Sequence, residues 1–270
     1  MSPHRTAFAL LLAAMIAGRL GSATALAAAF EVAPTTIELS PGGGAALVRI
    51  TNRGAQAVTI QVRTFDWRQS GDRDYLTPST GLAASPTTAQ LPPGGRRTIR
   101  LRERGPASTG EHAHRLLISE LASGAVAAPG RVRMLLRFSL PVFRPAGETS
   151  GAARLVWDAR IAGGQLIVTA ANPGPRHAKL VNLAVVGDGA PTRNEVAPMV
   201  YVLANASRSW RLPAGAIVPT ANLTLKAEDA LTGRPLIWIL QVHRPSEGST
   251  RRSRTYPDGP PSGERGSDSR

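Results

Sequence analysis

Histidine and carboxylate side chains are the groups of this sequence best suited to chemistry, and their spacing offers one arrangement of interest. His112 and His114 are two residues apart, so on a β-strand both rings would lie on one face and could bind a metal ion. The sequence shows no third ligand of suitable type near them, and an ordinary strand surface is the better interpretation. We therefore predict neither a metal site nor a cofactor.

Sequence patterns of catalysis are missing. The nucleophile-elbow, phosphate-loop and dinucleotide-binding glycine patterns do not occur, and the sparse carboxylates show no recognisable pairing. The sequence has no cysteine, which excludes thiol catalysis, zinc–thiolate sites and disulfides. We therefore predict that the protein is not an enzyme.

The composition favours short strands joined by turns. The 270 residues include 27 glycines and 22 prolines, and only 4% of them are aromatic. Segments of alternating apolar and polar residues lie between the turns, no convincing helical period occurs after the N-terminus, and residues 70–89 are polar and turn-rich. About seven short strands per hundred residues, occurring twice, predict an all-β protein with two immunoglobulin-like β-sandwich domains.

The two ends of the sequence differ from its middle. Residues 1–27 begin with basic residues, continue with an apolar run at 8–17 and end in an A-x-A sequence, as a cleavable signal peptide does. The apolar run is too short to span a bilayer, so we expect no membrane insertion of the mature chain. We predict an N-terminal domain at 28–147, a C-terminal domain at 148–244 and a disordered polar tail at 245–270.

The sequence is strongly basic, with 32 basic and 18 acidic residues and a formal net charge of +14. Positive charge speeds the encounter with anionic partners of any kind. Export argues against a nucleic acid, and no dense basic tract interleaved with aromatic residues occurs. We therefore predict no nucleic-acid partner.

One predicted strand has a regular apolar row. Every second residue from 132 to 140 is apolar, and Arg133 and Arg137 lie between them. Such a row is typical of an ordinary core strand, and it equally suits an edge strand that adds to the sheet of a partner. The sequence leaves both interpretations open. The row consists of Val132, Met134, Leu136, Phe138 and Leu140.

Several segments resemble one known family. They are F-E-V-A-P-T at 30–35, the N-R-G turn at 52–54, H-R-L-L-I-S-E-L at 114–121 and R-F-S-L-P-V-F-R-P at 137–145. Together with the signal peptide and the two predicted domains, they resemble the periplasmic pilus-assembly chaperones of the chaperone–usher pathway. The resemblance looks closest to the branch that serves spore-coat-U-like subunits.

The resemblance implies a boomerang arrangement of the two domains and a function in the periplasm. Such a chaperone donates strand G1, which here is the apolar row, to a pilus subunit that lacks a strand, and delivers that subunit to an outer-membrane usher. The alternative is an exported adhesion or binding module with two immunoglobulin-like domains and no role in assembly.

The resemblance also implies an ion network between the domains. The matching positions are Glu111, Arg144 and Asp229. The connection before the apolar row, residues 122–130, is short, and no cysteine pair is present. Both features argue against the long-loop, disulfide-bearing class of these chaperones.

An anchor for the C-terminal carboxylate of the subunit is the last feature that the resemblance implies. The family's two basic anchor positions match Thr35 or Thr36 and approximately Leu140, none of which is basic. Arg115, beside the apolar row, is the first candidate to replace them, and Arg137 is the second. A guanidinium suits this role because it binds a carboxylate through two hydrogen bonds.

Overall fold

Every regular element that the structure describes is a β-strand, and there are 17 of them. The described part of the chain holds no helix of the length and hydrophobicity that a bilayer crossing requires. The predicted signal peptide, the predicted tail and Val132 lie outside the described residues. The structure is a computed structural model that describes residues 30–41, 44–104, 110–122, 134–147, 151–187, 193–214 and 222–242.

The first ten strands form two sheets. One has the order β1-β3-β8-β6, and the other has the order β2-β10-β9-β4-β5, with β7 also paired to β4. The strands are β1 (Phe30–Ala33), β2 (Ile37–Glu38), β3 (Ala45–Asn52), β4 (Val58–Ser70), β5 (Arg73–Pro78), β6 (Leu82–Ser85), β7 (Thr88–Leu91), β8 (Arg96–Glu103), β9 (His112–Leu121) and β10 (Arg137–Arg144).

Alternation of side chains builds the core between these two sheets. In β8, Ile99 and Leu101 are fully buried, while the arginines between and before them face solvent. Ile60 of β4 and Leu116 of β9 enter the same core from the opposite sheet. Burial of such side chains is the main stabilising contribution to a sandwich of this kind.

The last seven strands form a second pair of sheets, with orders β11-β12-β15 and β14-β13-β16-β17. Leu166 and Val168 from the first of these sheets meet Leu223 and Leu225 from the second in a shared core. The predicted all-β class is therefore confirmed. The strands are β11 (Val156–Ala162), β12 (Gln165–Asn172), β13 (Ala178–Gly187), β14 (Arg193–Val202), β15 (Ala206–Pro213), β16 (Asn222–Asp229) and β17 (Pro235–Gln241).

Polar contacts join the two pairs of sheets. The Gln69 side chain, at the end of β4, donates to the carbonyl of Tyr201 at 3.0 Å and accepts from the backbone N–H of Leu203 at 2.9 Å. Arg208 of β15 donates to Asp74 of β5 at 2.6 Å. Because Gln69 is buried and makes bonds in both directions, it fixes the first domain against one particular segment of the second.

An aromatic cluster lies beside these polar contacts. Trp67 of β4 and Phe143 of β10 pack with Tyr201 and Leu203 of the second domain. The His177 ring stacks on Phe143 with 3.6 Å between ring centroids. Residues from both domains therefore share one small buried cluster at their junction.

Candidate functional site

Strand β10 has a free edge along half of its length. On one side it pairs with β9 throughout, from Arg137 opposite Ser119 to Arg144 opposite His112. On its other side it pairs only with β2, at Val142 and Phe143. In the described part of the chain, residues 137–141 therefore present unpaired backbone groups, which another strand could use.

The apolar row changes from exposed to buried along this strand. Met134 is 73% exposed, whereas Leu140 is only 5% exposed and belongs to the core of the first domain. Leu136 and Phe138 are half-buried and pack against the rim of that core, with the Phe138 ring 5.2 Å from the Phe30 ring. The structure thus makes Leu140 a core residue of its own domain, although the sequence placed it in the row that is lent to a partner.

Arg115 lies on β9 opposite Pro141, at the end of β10 that is near the second domain. Its guanidinium lies 3.7 Å from the ring centroid of Trp67 and 5.7 Å from that of Tyr201, and it donates to the carbonyl of Ser139 at 3.4 Å. Burial lowers the pKa of Arg115 below its usual value, and the charge of Asp74 opposes that shift. The aromatic rings hold this cation in a defined position at the junction of the domains.

Arg137, the second anchor candidate, lies at the opposite end of the described part of β10. Its side chain donates to the Ser119 hydroxyl at 3.2 Å on the exposed surface of the sheet. The structure therefore separates the two candidates, and only Arg115 lies at the domain junction.

A second cation at the junction was not found from the sequence. The Lys179 ammonium lies 5.6 Å from the centroid of the same Tyr201 ring. Only the residue type set it apart in the sequence, because Lys179 and Lys226 are the only lysines among 32 basic residues. Their types alone do not reveal which of the two lies near Tyr201.

Glu111 and Arg144 belong to two different ion pairs. Arg144 pairs with Glu103 at the end of β8 at 3.0 Å, and both side chains are almost completely buried. Glu111 accepts from the backbone N–H of His177 at 2.8 Å, and its carboxylate lies 2.9 Å from the His177 ring. Glu111 thus contacts the second domain through His177, whereas the expected pair of Glu111 with Arg144 is replaced by the pair of Arg144 with Glu103.

Glu103 is the buried carboxylate that the sequence analysis missed. Burial on its own would raise the pKa of this carboxyl, but hydrogen bonds with His114 and His112 and the charges of His114 and Arg144 lower it below its usual value. A signal was present, since Glu103 continues the inward-facing row of Ile99 and Leu101. A carboxylate in phase with core residues must have a partner inside the protein.

Asp229 does not lie in this network. It closes the turn between β16 and β17, where its carboxylate accepts from the backbone N–H groups of Leu231 and Thr232, both at 2.9 Å. The hydrogen bond from Thr232 is the main reason that the pKa of Asp229 falls below its usual value. Asp229 ends strand β16 where the chain turns, and Asp is a preferred residue in such turns.

The match to a protein-family model decides what this architecture is. Residues 29–148 match the model described as "Pili and flagellar-assembly chaperone, PapD N-terminal domain". Residues 29–148 are therefore similar to the N-terminal domain of such chaperones. The predicted resemblance to pilus-assembly chaperones is confirmed, and strand β10 lies inside the matched region. None of the curated proteins matches the sequence.

Solved structures of pilus chaperones share the fold of both domains. The complex of CsuC with the tip adhesion subunit CsuE, from archaic Csu pili of Acinetobacter baumannii, gives a TM-score of 0.64 at 20% identity over 80% of this chain and 99% of that one. Salmonella enterica SafA pilin with the SafB chaperone gives 0.57 at 16% identity over 79% and 97%. The Escherichia coli chaperone DraB gives 0.51 at 14% identity over 80% and 97%. These similarities confirm the two-domain immunoglobulin-like fold.

Proposed function

We propose that this protein is a periplasmic chaperone that binds a pilus subunit and donates strand β10 to it. The observation that carries the proposal is the free edge of β10 beside an apolar row whose outer members are exposed. An unpaired edge supplies main-chain hydrogen bonds, and an exposed apolar row supplies side chains for a groove in the partner. The solved complexes of CsuC with CsuE and of SafB with SafA support the same kind of partner.

Donation divides the row between two roles. Met134 and Leu136 have apolar surface that a subunit can cover, whereas Leu140 already fills the chaperone's own core. Phe138 lies at the boundary, because its ring contacts Phe30 and is still half-exposed. The outer members of the row thus provide binding, and the inner members hold the strand in position.

We further propose that the C-terminal carboxylate of the subunit binds at the domain junction. Arg115 and Lys179 both lie within 5.7 Å of the Tyr201 ring, which places two cations in one region at the inner end of β10. A subunit strand that runs along β10 would bring its terminal carboxylate to this end. Arg115 supplies two parallel hydrogen bonds and Lys179 supplies charge.

Export and delivery complete the proposed function. Residues 1–27 act as the cleavable signal that brings the chain to the periplasm, and the loaded chaperone passes its subunit to an outer-membrane usher. Contacts such as that between Glu111 and His177 hold the two domains at the angle that the junction requires. The predicted branch, with spore-coat-U-like subunits, is part of this proposal.

Co-expression with a candidate pilus subunit in a periplasm tests the proposal. The wild-type chaperone should co-purify with the subunit, and a double variant, Met134→Ala with Leu136→Ala, should lose it while keeping its circular dichroism spectrum. Leu47→Ala is a matched control, because Leu47 is an exposed leucine on β3, in the other sheet of the same domain. If the folded double variant still captures the subunit as the control does, donation of β10 is wrong and the binding-module alternative is favoured.

A further inference from the structure

Three side chains with metal-binding atoms converge near the domain junction. Glu103 ends β8, and His112 and His114 begin β9, where both rings lie on one face of the strand. The three ligand atoms all lie within 4.8 Å of one another. Glu103 is the third ligand that was not recognised from the sequence, because β8 and β9 belong to different sheets and the packing of these sheets is what brings it there.

Asp66 orients the inner histidine for metal binding. The His114 Nδ1 atom lies 2.9 Å from the Asp66 carboxylate, so Nδ1 carries the proton and donates it to that oxygen. The Nε2 atom of the same ring then faces the Glu103 Oε1 atom, 3.4 Å away. A carboxylate that fixes the ring in this way is the usual support of a metal-bound histidine.

The inner part of this cluster has a gap between two buried ligand atoms. The His114 side chain is 6% exposed, and its Nε2 atom has only a long contact, of 3.4 Å, with the Glu103 carboxylate. A metal ion between these two atoms would satisfy both of them. The Arg144 guanidinium lies at the edge of the cluster, 3.0 Å from Glu103 Oε2 and 3.1 Å from His112 Nδ1.

The inner pair of ligand atoms suits a small tetrahedral ion. Two donor atoms on a tetrahedral zinc ion, each about 2.0–2.1 Å from the metal, lie roughly 3.4 Å apart. The separation of His114 Nε2 from Glu103 Oε1 is 3.4 Å, whereas that of His112 Nδ1 from the same oxygen is 2.5 Å, a hydrogen bond that must open to admit an ion. The His112 side chain is 36% exposed, so its ring is free to move outward to accept an ion.

The cluster borders an open cavity. A cavity of about 510 Å³ is lined by Asp66, Glu103, His112 and His114 from the first domain and by residues 203–206 of the second. A metal held by the three ligands would keep its fourth position toward this space. A site with three protein ligands and one open position is a familiar zinc arrangement.

We propose that Glu103, His112 and His114 form a binding site for a divalent transition metal, with zinc as the ion and Asp66 as the positioning residue. Imidazole and carboxylate ligands suit zinc, and they also suit cobalt, which serves as a spectroscopic probe. The guanidinium of Arg144 contacts both Glu103 Oε2 and His112 Nδ1, so the His112 ring must turn away from it to bind the ion. The site is independent of strand donation, because none of its ligands belongs to the apolar row.

Metal titration of the mature chain, purified without a histidine tag, tests this site. We expect one Zn²⁺ per chain by competition with a chromophoric chelator, and Co²⁺ should give the visible absorption bands of a tetrahedral site. His112→Ala removes a half-exposed ligand and should weaken zinc binding at least about tenfold. His243→Ala, which changes a histidine outside the described residues, is the matched control and should bind as the wild type does.

Asp66 provides a second and independent measurement. Asp66→Asn should weaken zinc binding by about 10–100-fold while the tetrahedral cobalt bands remain, and Asp66→Glu should restore most of the affinity. The variants are compared at equal circular dichroism signal, so a loss of binding is not a loss of folding. If the folded wild type takes up no zinc, or if His112→Ala and His243→Ala bind it equally, the proposal is overturned.

Discussion

The two halves of the β10 row have the same alternating sequence and opposite surroundings. Leu140 and Val142 are buried in the first domain, next to the point where β2 pairs with the strand. Met134 and Leu136 lie just before β10 begins at Arg137, and there Leu136 is half-buried and Met134 is 73% exposed. The apolar period is unbroken across the change.

The row shows that the spacing of apolar residues along a strand does not determine how deeply each of them is buried. Apolar residues at every second position indicate which side chains share a face of the strand. The depth of that face depends on which other strands cover it, and here the short strand β2 and the opposite sheet cover only the inner half. One row can therefore act as core at one end and as binding surface at the other.

The largest loss of stability is expected from breaking the buried ion pair at the end of β10. Arg144→Ala leaves the Glu103 carboxylate buried without its guanidinium, and we expect a loss of about 3–5 kcal/mol in the free energy of unfolding. Urea denaturation followed by circular dichroism measures it. Arg137→Ala, on the exposed part of the same strand, is the matched control and should change stability by less than about 0.5 kcal/mol. Equal effects of the two substitutions would contradict the difference between the halves.

Leu140→Ala addresses the inner half of the row directly. Truncation of a buried leucine removes its transfer free energy and leaves a cavity, so we expect a loss of about 2–5 kcal/mol in the free energy of unfolding. Leu47→Ala, which truncates an exposed leucine, should cost less than about 0.5 kcal/mol. If Leu140→Ala were as stable as that control, the assignment of Leu140 to the domain core would be wrong.

The fold could be predicted because alternation is visible in the strongest strands. In β8, apolar and polar residues alternate from Thr98 to Arg102, and the structure buries the apolar ones. Residues 70–89 were expected to be turn-rich, and they contain β5, β6 and the beginning of β7. These strands were missed because they are short, and because β5 is exposed on both faces and so has no apolar period.

The site was harder to predict because its parts come from different strands and domains. The apolar row lies on one strand, so its members could be named from spacing alone. The partners of Arg144 and of the histidines depend on which strands become neighbours, and Glu103 is joined to them by the packing of two sheets. Lys179 reaches the junction only because the second domain contacts the first, which no local pattern encodes.

In the outer half of the row, Met134→Ala should have a smaller effect, and that effect should be on binding rather than on stability. Because Met134 is largely exposed in the free protein, its truncation should change the free energy of unfolding by less than about 0.5 kcal/mol. If a subunit covers this side chain, its loss should cost roughly 1–2 kcal/mol of binding, about a tenfold rise in the dissociation constant. Surface plasmon resonance with a subunit kept soluble by a peptide of its missing strand measures the change. A stability loss as large as that of Leu140→Ala would mean that the two halves do not differ.

The smallest effect on stability is expected at Asp229. This residue extends the comparison to the predicted ion network, whose members also differ in burial. Its pKa lies below the usual value of aspartate chiefly because the Thr232 N–H donates to the carboxylate. A lowered pKa in the folded state means that the charged form stabilises the fold at a pH above the ordinary aspartate pKa, and that this contribution is lost as the pH falls through the lowered value. Since the turn is largely exposed, Asp229→Ala should reduce the free energy of unfolding at pH 7 by no more than about 0.5 kcal/mol. Thermal melting at a series of pH values should show the difference between wild type and variant shrinking toward acid. A loss at pH 7 comparable with that of Arg144→Ala would instead place Asp229 in the network that the resemblance implied.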